Sequence, residues 1–334
     1  MLIKFFKFAL ILLLYQSPLY SKSKNLKDFN SPHISNYFSG IVAYDNNDNS
    51  LALKFFKSSR YLINQHNSYL ENYVYTLVLE GKVHEATSVI KQNLTKDNSN
   101  FFEAHLVLAL DSLKRKNYKK SKEHIQKSYE FINNDRLSLI IAETLKQYLY
   151  IFEENKISKI KNKFGNFSFI NEVFQRCYLN DKNTKAYFDK LVNSENDADY
   201  SRYVFFYLSY LIENNEYAEA KNISDNLDYL NSSLLISQGK KWIEDQKLEE
   251  FKKIFSCSNT TDIISEFFFL VSNLYSSQND YENSNFYLNI SHYLNPKFKF
   301  NLSLLAENHY LNKDYTKTLK ILESFNKKDE FYYW

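Results

Sequence analysis

Glycine and proline are nearly missing from this chain of 334 residues, at 4 and 3 copies. These residues punctuate turns, barrels and phosphate-binding loops, so their scarcity excludes sheet-rich folds and Gly-loop enzymes and leaves a helical protein. A long apolar run is also missing. The one hydrophobic stretch, Phe8 to Tyr15, is much shorter than the roughly 20 residues a membrane span needs. Charge of one sign is missing too, because the net value of +3 gives no electrostatic case for nucleic acid. Alanine and arginine are scarce where asparagine and lysine abound, a bias that an AT-rich genome produces and that carries no functional message.

What is present is aromatic bulk, 17% of residues, enough to fill a large interior and to argue against disorder. The N-terminus reads as a leader: Lys4 and Lys7 precede the apolar run, and small residues follow in "QSPLYSKS". Cleavage after Ser21 makes 1–21 a signal peptide and 22–31 a linker, with an uncleaved anchor as the alternative. No Cys lies near the cut, so a lipoprotein anchor is excluded. The mature chain is expected in the periplasm or cell envelope of a bacterium.

Small residues recur with a period. Ala52 and Ala86 are 34 apart, Ala86 and Ser121 are 35, and Ala186 to Ala220 and Ser284 to Thr318 are each 34. The gaps from Ser121 to Ala186 and from Ala220 to Ser284 are close to two periods, which implies one degenerate unit near Phe152, expected to be irregular or a slight break in the superhelix, and another at Phe251. Three residues before stand Val83, Tyr118, Tyr217, Tyr281 and Tyr315, the four tyrosines at "KNY", "NEY", "NDY" and "KDY" turns. Twelve before stand Gly40, Ala109, Gly239, Ser272 and Ala306, and four after come Phe56, Ile90, Ile125, Phe255, Leu288 and Leu322. Two helices can cross closely only where neither carries bulk.

This pattern resembles the tetratricopeptide repeat family. The resemblance implies an all-α solenoid of about nine helix-turn-helix units over 32–332, a right-handed superhelix, with degenerate units near 137–166 and 232–264. Tyr333 and Trp334 fall at the start of a tenth unit, so the chain is expected to be truncated there. The alternative is that the aromatic tail folds back on the ninth unit or docks into a partner.

No catalytic motif is present. There is no G-x-S-x-G, no HExxH and no metal spacing among the seven His residues, so no catalytic residue, metal or cofactor is expected. The basic run Lys114 to His124 and the acidic run Asp189 to Asp199 read as solvated turns, with peripheral contact at an anionic lipid or polymer surface left open. Cys177 falls in the fifth unit and Cys257 in the seventh. Because solenoid units touch only their neighbours, two buried free thiols are expected.

The resemblance implies a non-catalytic scaffold that takes a protein or peptide in the concave groove lined by first helices. Transferring the family's ligand-facing positions gives Arg202, Ser209, Glu266, Asn273, Glu307 and Tyr310 as partner-binding residues. The alternative is the solenoid part of an envelope enzyme of lytic-transglycosylase type whose catalytic domain is missing from this chain.

Overall fold

The computed structural model describes residues 31–94, 100–132, 136–158, 164–193, 201–227 and 234–325. The expected leader and the expected tenth unit at Tyr333 and Trp334 lie outside them. The described residues form seventeen α-helices and two 3-10 helices, with no strand. α1 (Ser31–Asp45) turns back into α2 (Asn49–Ser58), α3 (Asn67–Leu79) into α4 (Val83–Asn93), and α5 (Phe102–Lys114) into α6 (Tyr118–Ser128). α7 (Arg136–Glu154) has no second helix among the described residues. Five further pairs follow. They are α8 (Asn166–Leu179) with α9 (Thr184–Val192), α10 (Ser201–Glu213) with α11 (Tyr217–Asp225), and α12 (Leu234–Glu244) with α13 (Glu249–Ile254). The last two are α14 (Thr260–Ser277) with α15 (Tyr281–Leu294) and α16 (Asn301–Leu311) with α17 (Tyr315–Glu323). Eight pairs and α7 make nine units of an α-solenoid.

Each first helix ends on a left-handed residue: Asn47, Gly81, Lys116, Asn155, Asn180, Asn215, Gln246, Asn279 and Lys313, with φ between 47° and 70°. The chain closes these ends in the Schellman manner. Asn117 N–H, for example, reaches back to the Ser112 carbonyl at 2.9 Å while Lys116 N–H reaches Leu113 at 2.8 Å. The next residue then caps the second helix: Asp48, Asn117, Asp280 and Asp314 accept from the backbone N–H of Leu51, Lys120, Asn283 and Lys317. The "KNY", "NDY" and "KDY" triplets are thus a left-handed turn, an N-cap and an aromatic first helical residue.

The small residues sit at the crossings as expected. Ser121 donates its hydroxyl to the Ala109 carbonyl at 2.8 Å, and Thr318 to Ala306 at 3.3 Å. Where the second helix carries bulk, the first carries none. A Cβ on Gly40 would lie 2.8 Å from the Phe56 ring, and one on Gly239 would lie 3.3 Å from Phe251. Glycine therefore makes room for phenylalanine in the first and seventh units. The fourth unit is irregular. Phe152 lies on α7 itself, buried against Tyr148, and the turn comes only at Asn155, because α7 runs to 19 residues.

The units do not touch only their neighbours. α14 packs against α5 and α8, and α15 against α3 and α4. Phe267 of α14 meets Tyr148 of α7 and Phe167 of α8 at ring distances of 6.2 and 5.6 Å. The last units therefore curl back into the space enclosed by the first helices, and the superhelix closes on itself. That curvature also corrects the cysteines. Cys177 ends α8, Cys257 leads into α14, their Cα atoms are 5.5 Å apart, and they form a disulfide. Both are buried, as expected, but neither is free.

Candidate functional site

Three of the six expected partner-binding residues are used within the chain. Arg202 on α10 donates through Nε and Nη2 to both oxygens of Glu266 on α14, at 2.8 and 2.7 Å, and through Nη2 to the Asn301 side-chain oxygen at 2.7 Å. Its guanidinium lies 3.7 Å from the Phe269 ring centroid. Glu266 is only 2% exposed. Burial pushes its carboxyl upward, and Arg202 opposes that shift. Ser209 is buried and donates to the Phe255 carbonyl at 3.3 Å. Arg202, Ser209 and Glu266 do face inward, but that face is covered rather than open to solvent. Asn273, Glu307 and Tyr310 are exposed, and Tyr310 rests against Tyr315, the ring centroids being 5.6 Å apart.

The inner face of the first three units shows what such a face can hold. α15 lies along it, presenting Glu282, Asn283, Phe286, Asn289 and Tyr293, positions that share one side of a helix. Tyr44 of α1 donates its hydroxyl to the Glu282 carboxylate. Tyr75 of α3 donates to the Asn283 side-chain oxygen at 3.1 Å and stacks on Phe286 with centroids 4.4 Å apart. Asn289 donates its amide to the Leu79 carbonyl at 3.1 Å. Tyr293 donates to Asp111 of α5 at 3.3 Å, and Lys114 donates to the Tyr293 carbonyl with its ammonium 4.0 Å from that ring.

The electrostatics of this seam follow from burial. It raises the Tyr44 hydroxyl, helped by Glu282, and it pushes Tyr293 up to about 12, helped by Asp111. It also lowers the Lys114 ammonium and the His292 imidazole. Asp111 goes the other way, because Lys91 and Arg115 outweigh its burial and hold it below its ordinary range.

At one end of the seam a cleft of about 820 Å³ opens between the turns of the first two units and the last unit, lined by Asn47, Glu80, Asn289, His309 and Lys317 among others. Lys317 and Glu80 face each other there at 3.3 Å.

Tyr44, Tyr75, Asp111 and Lys114 were not among the residues expected from sequence, and Lys114 was read as part of a solvated run. A signal did exist. Leu79 and Lys114 close α3 and α5 one repeat apart, 35 residues, and both reach α15 from the last turn of a first helix.

No protein-family model matches the chain, and no curated protein matches it by sequence. Among the described residues no three His, Cys, Asp or Glu side chains converge as metal ligands, and no helix is long and apolar enough to cross a membrane.

Proposed function

We propose that the chain is a non-catalytic protein-binding scaffold of the cell envelope, a tetratricopeptide-like solenoid that takes a helical partner on the inner face of its first three units. The observation that carries this is the row Tyr44, Tyr75, Asp111 and Lys114. Consecutive first helices there hold one side of a helix through hydroxyl, aromatic, carboxylate and ammonium groups at fixed spacing. Helix-in-groove recognition needs such anchors at helical intervals. The partner face moves from Arg202 and Glu266 to this row, because Glu266 sits on α14, which the disulfide ties to α8, whereas the row's contacts with α15 have no covalent tie among the described residues.

The compartment rests on two independent features. One is the leader-like N-terminus, and the other is the disulfide, a bond that persists in oxidising surroundings and is rare in the bacterial cytosol.

The test is affinity capture from envelope extracts with the full-length chain, compared with Tyr75→Ala and Lys114→Ala. The reading expects a protein partner that both substitutions weaken. Capture that is unchanged by either variant, or no partner from any extract, contradicts it.

A further inference from the structure

Resting on that reading, we propose that α15 is a cis occupant of the partner face, so that the closed chain is autoinhibited. The partner it excludes is a helix that presents the same row as α15: a carboxylate, an amide one residue on, an aromatic ring four on, an amide seven on and a tyrosine eleven on.

Three observations point this way. First, the two sides of α15 differ in chemistry. Toward its own unit it buries Tyr287, stacked on Phe268 and Tyr275 of α14, and Leu288, at 1 to 2% exposure. Toward the first three units it sets hydrogen bonds to hydroxyl, amide and ammonium groups around the buried Phe286 and Ile290. Intrachain interfaces with such a share of polar contacts resemble transient ones more than a wholly apolar core does.

Second, the seam is imperfectly satisfied. His292 Nδ1 on α15 is buried without a hydrogen bond, and at the end of the seam Glu80 Oε1 and Lys317 Nζ are held by ion pairing at 3.3 Å rather than by a hydrogen bond. A buried polar atom without a hydrogen bond opposes burial, and the cleft beside Glu80 and Lys317 shows that the surfaces do not mate fully there.

Third, the disulfide decides which contact yields. Cys177–Cys257 ties the entry of α14 to α8. Glu213 of α10 secures the same entry, accepting from Ser256 Oγ at 2.6 Å, Ser258 Oγ at 2.9 Å and Cys257 N–H at 3.1 Å. Units five to eight are thereby stapled as one block. The contact of that block with the first three units has no covalent tie among the described residues, so a competing helix acts there.

The experiment uses a labelled synthetic peptide of the α15 sequence, Asp280 to Asn295, and the oxidised full-length protein. Glu282→Ala with Asn283→Ala removes two of the cis hydrogen bonds of α15, those to Tyr44 and Tyr75, and leaves its apolar face intact. Circular dichroism and the melting transition report whether the variant stays folded. The peptide is expected to bind the folded double variant at least tenfold tighter than the wild type. Adding Tyr75→Ala to that variant is expected to reverse the gain, while Tyr315→Ala, on the exposed face of α17, leaves it unchanged. A folded double variant that binds the peptide no better than the wild type overturns the proposal, as does binding indifferent to Tyr75. Should the double variant fail to fold, the peptide is tested on wild type and on Tyr44→Phe, which loses one cis bond. Equal affinity for the two overturns the proposal. The scaffold reading has its own outcome. Envelope partners captured without regard to α15 sink the autoinhibition alone, whereas a peptide that binds as expected while no envelope protein is captured sinks the scaffold reading alone.

Discussion

The guanidinium of Arg202 and the carboxylate of Glu266, 64 residues apart, meet in a two-bond pair inside the chain, with the arginine side chain 14% and the glutamate 2% exposed. A pair this deep contributes less by its own attraction than by what its loss leaves behind. Arg202→Met is expected to cost about 3–5 kcal/mol in denaturant unfolding, because Glu266 stays buried without its counter-charge. The double change Arg202→Met with Glu266→Met is expected to recover most of that. A single-variant loss under about 1 kcal/mol contradicts the burial of the pair.

The turns offer stabilising changes. Lys116, Gln246 and Lys313 hold left-handed backbone with φ of 58°, 57° and 62°. A Cβ in this region costs about 1–2 kcal/mol, which glycine avoids while losing more entropy on folding. Lys116→Gly, Gln246→Gly and Lys313→Gly are each expected to raise stability by about 0.5–1 kcal/mol, read from the unfolding midpoint. Losses of about 1 kcal/mol, the usual cost of glycine inside a helix, would show that the turns lie elsewhere.

The disulfide closes a separation of 80 residues, for which loop-closure entropy sets a ceiling of about 4–5 kcal/mol. Cys177→Ser with Cys257→Ser, or dithiothreitol with the wild type, is expected to lower the unfolding midpoint while the helical spectrum is retained. Alkylation after unfolding without reductant is expected to label neither cysteine. Labelling of both, in protein taken from cells without reduction, contradicts the bond.

The buried histidines weaken the fold in acid. Burial, helped by His105 and nearby lysines, holds His124 down to about 4, and burial with Lys317 does the same for His309. Both titrate near 6.5 when unfolded, so between about 4 and 6.5 the unfolded chain binds protons that the native chain refuses. The stability they contribute is fully present above about 6.5 and is lost as pH falls toward 4. Asp262 opposes this, since burial pushes it up from 3.8 to about 7 and its native form gains a proton first. His105 and His292, also lowered by burial, join the other two histidines, while Glu71, Glu266 and Glu282, raised by burial, side with Asp262. The histidine share is therefore read as a difference: from pH 7 to pH 5 the wild type is expected to lose more melting temperature, or gain less, than His124→Gln. Equal profiles contradict this.

Much of the fold was legible because its causes are local. Ser284 is small because it lies in a helix crossing, where it accepts from Asn308 at 2.8 Å, and the same cause repeats every 34 residues or so. The left-handed turns wrote themselves as "KNY" and "KDY" for the same reason. The fourth unit carries no small residue in register because α7 overruns the period and turns only at Asn155. The closure was not legible. Periodicity records what a helix does with its own unit and the next, whereas Tyr75 and Phe286 meet across units two and eight and leave no interval to detect. The disulfide was missed for that reason. Counting along the first helices pointed to Arg202, Ser209 and Glu266, but it could not show that Arg202 and Glu266 pair with each other or that Ser209 bonds the Phe255 carbonyl.

The closure of the solenoid is tested most directly by a double-mutant cycle on Tyr75 and Phe286, whose rings stack 4.4 Å apart although the residues lie in the second and eighth units. Tyr75→Leu, Phe286→Leu and the double variant are compared with wild type by denaturant unfolding. A closed chain is expected to show a coupling of about 0.5–1.5 kcal/mol, the range for a buried aromatic pair. Strict additivity, the behaviour of an open superhelix whose distant units never meet, would contradict it.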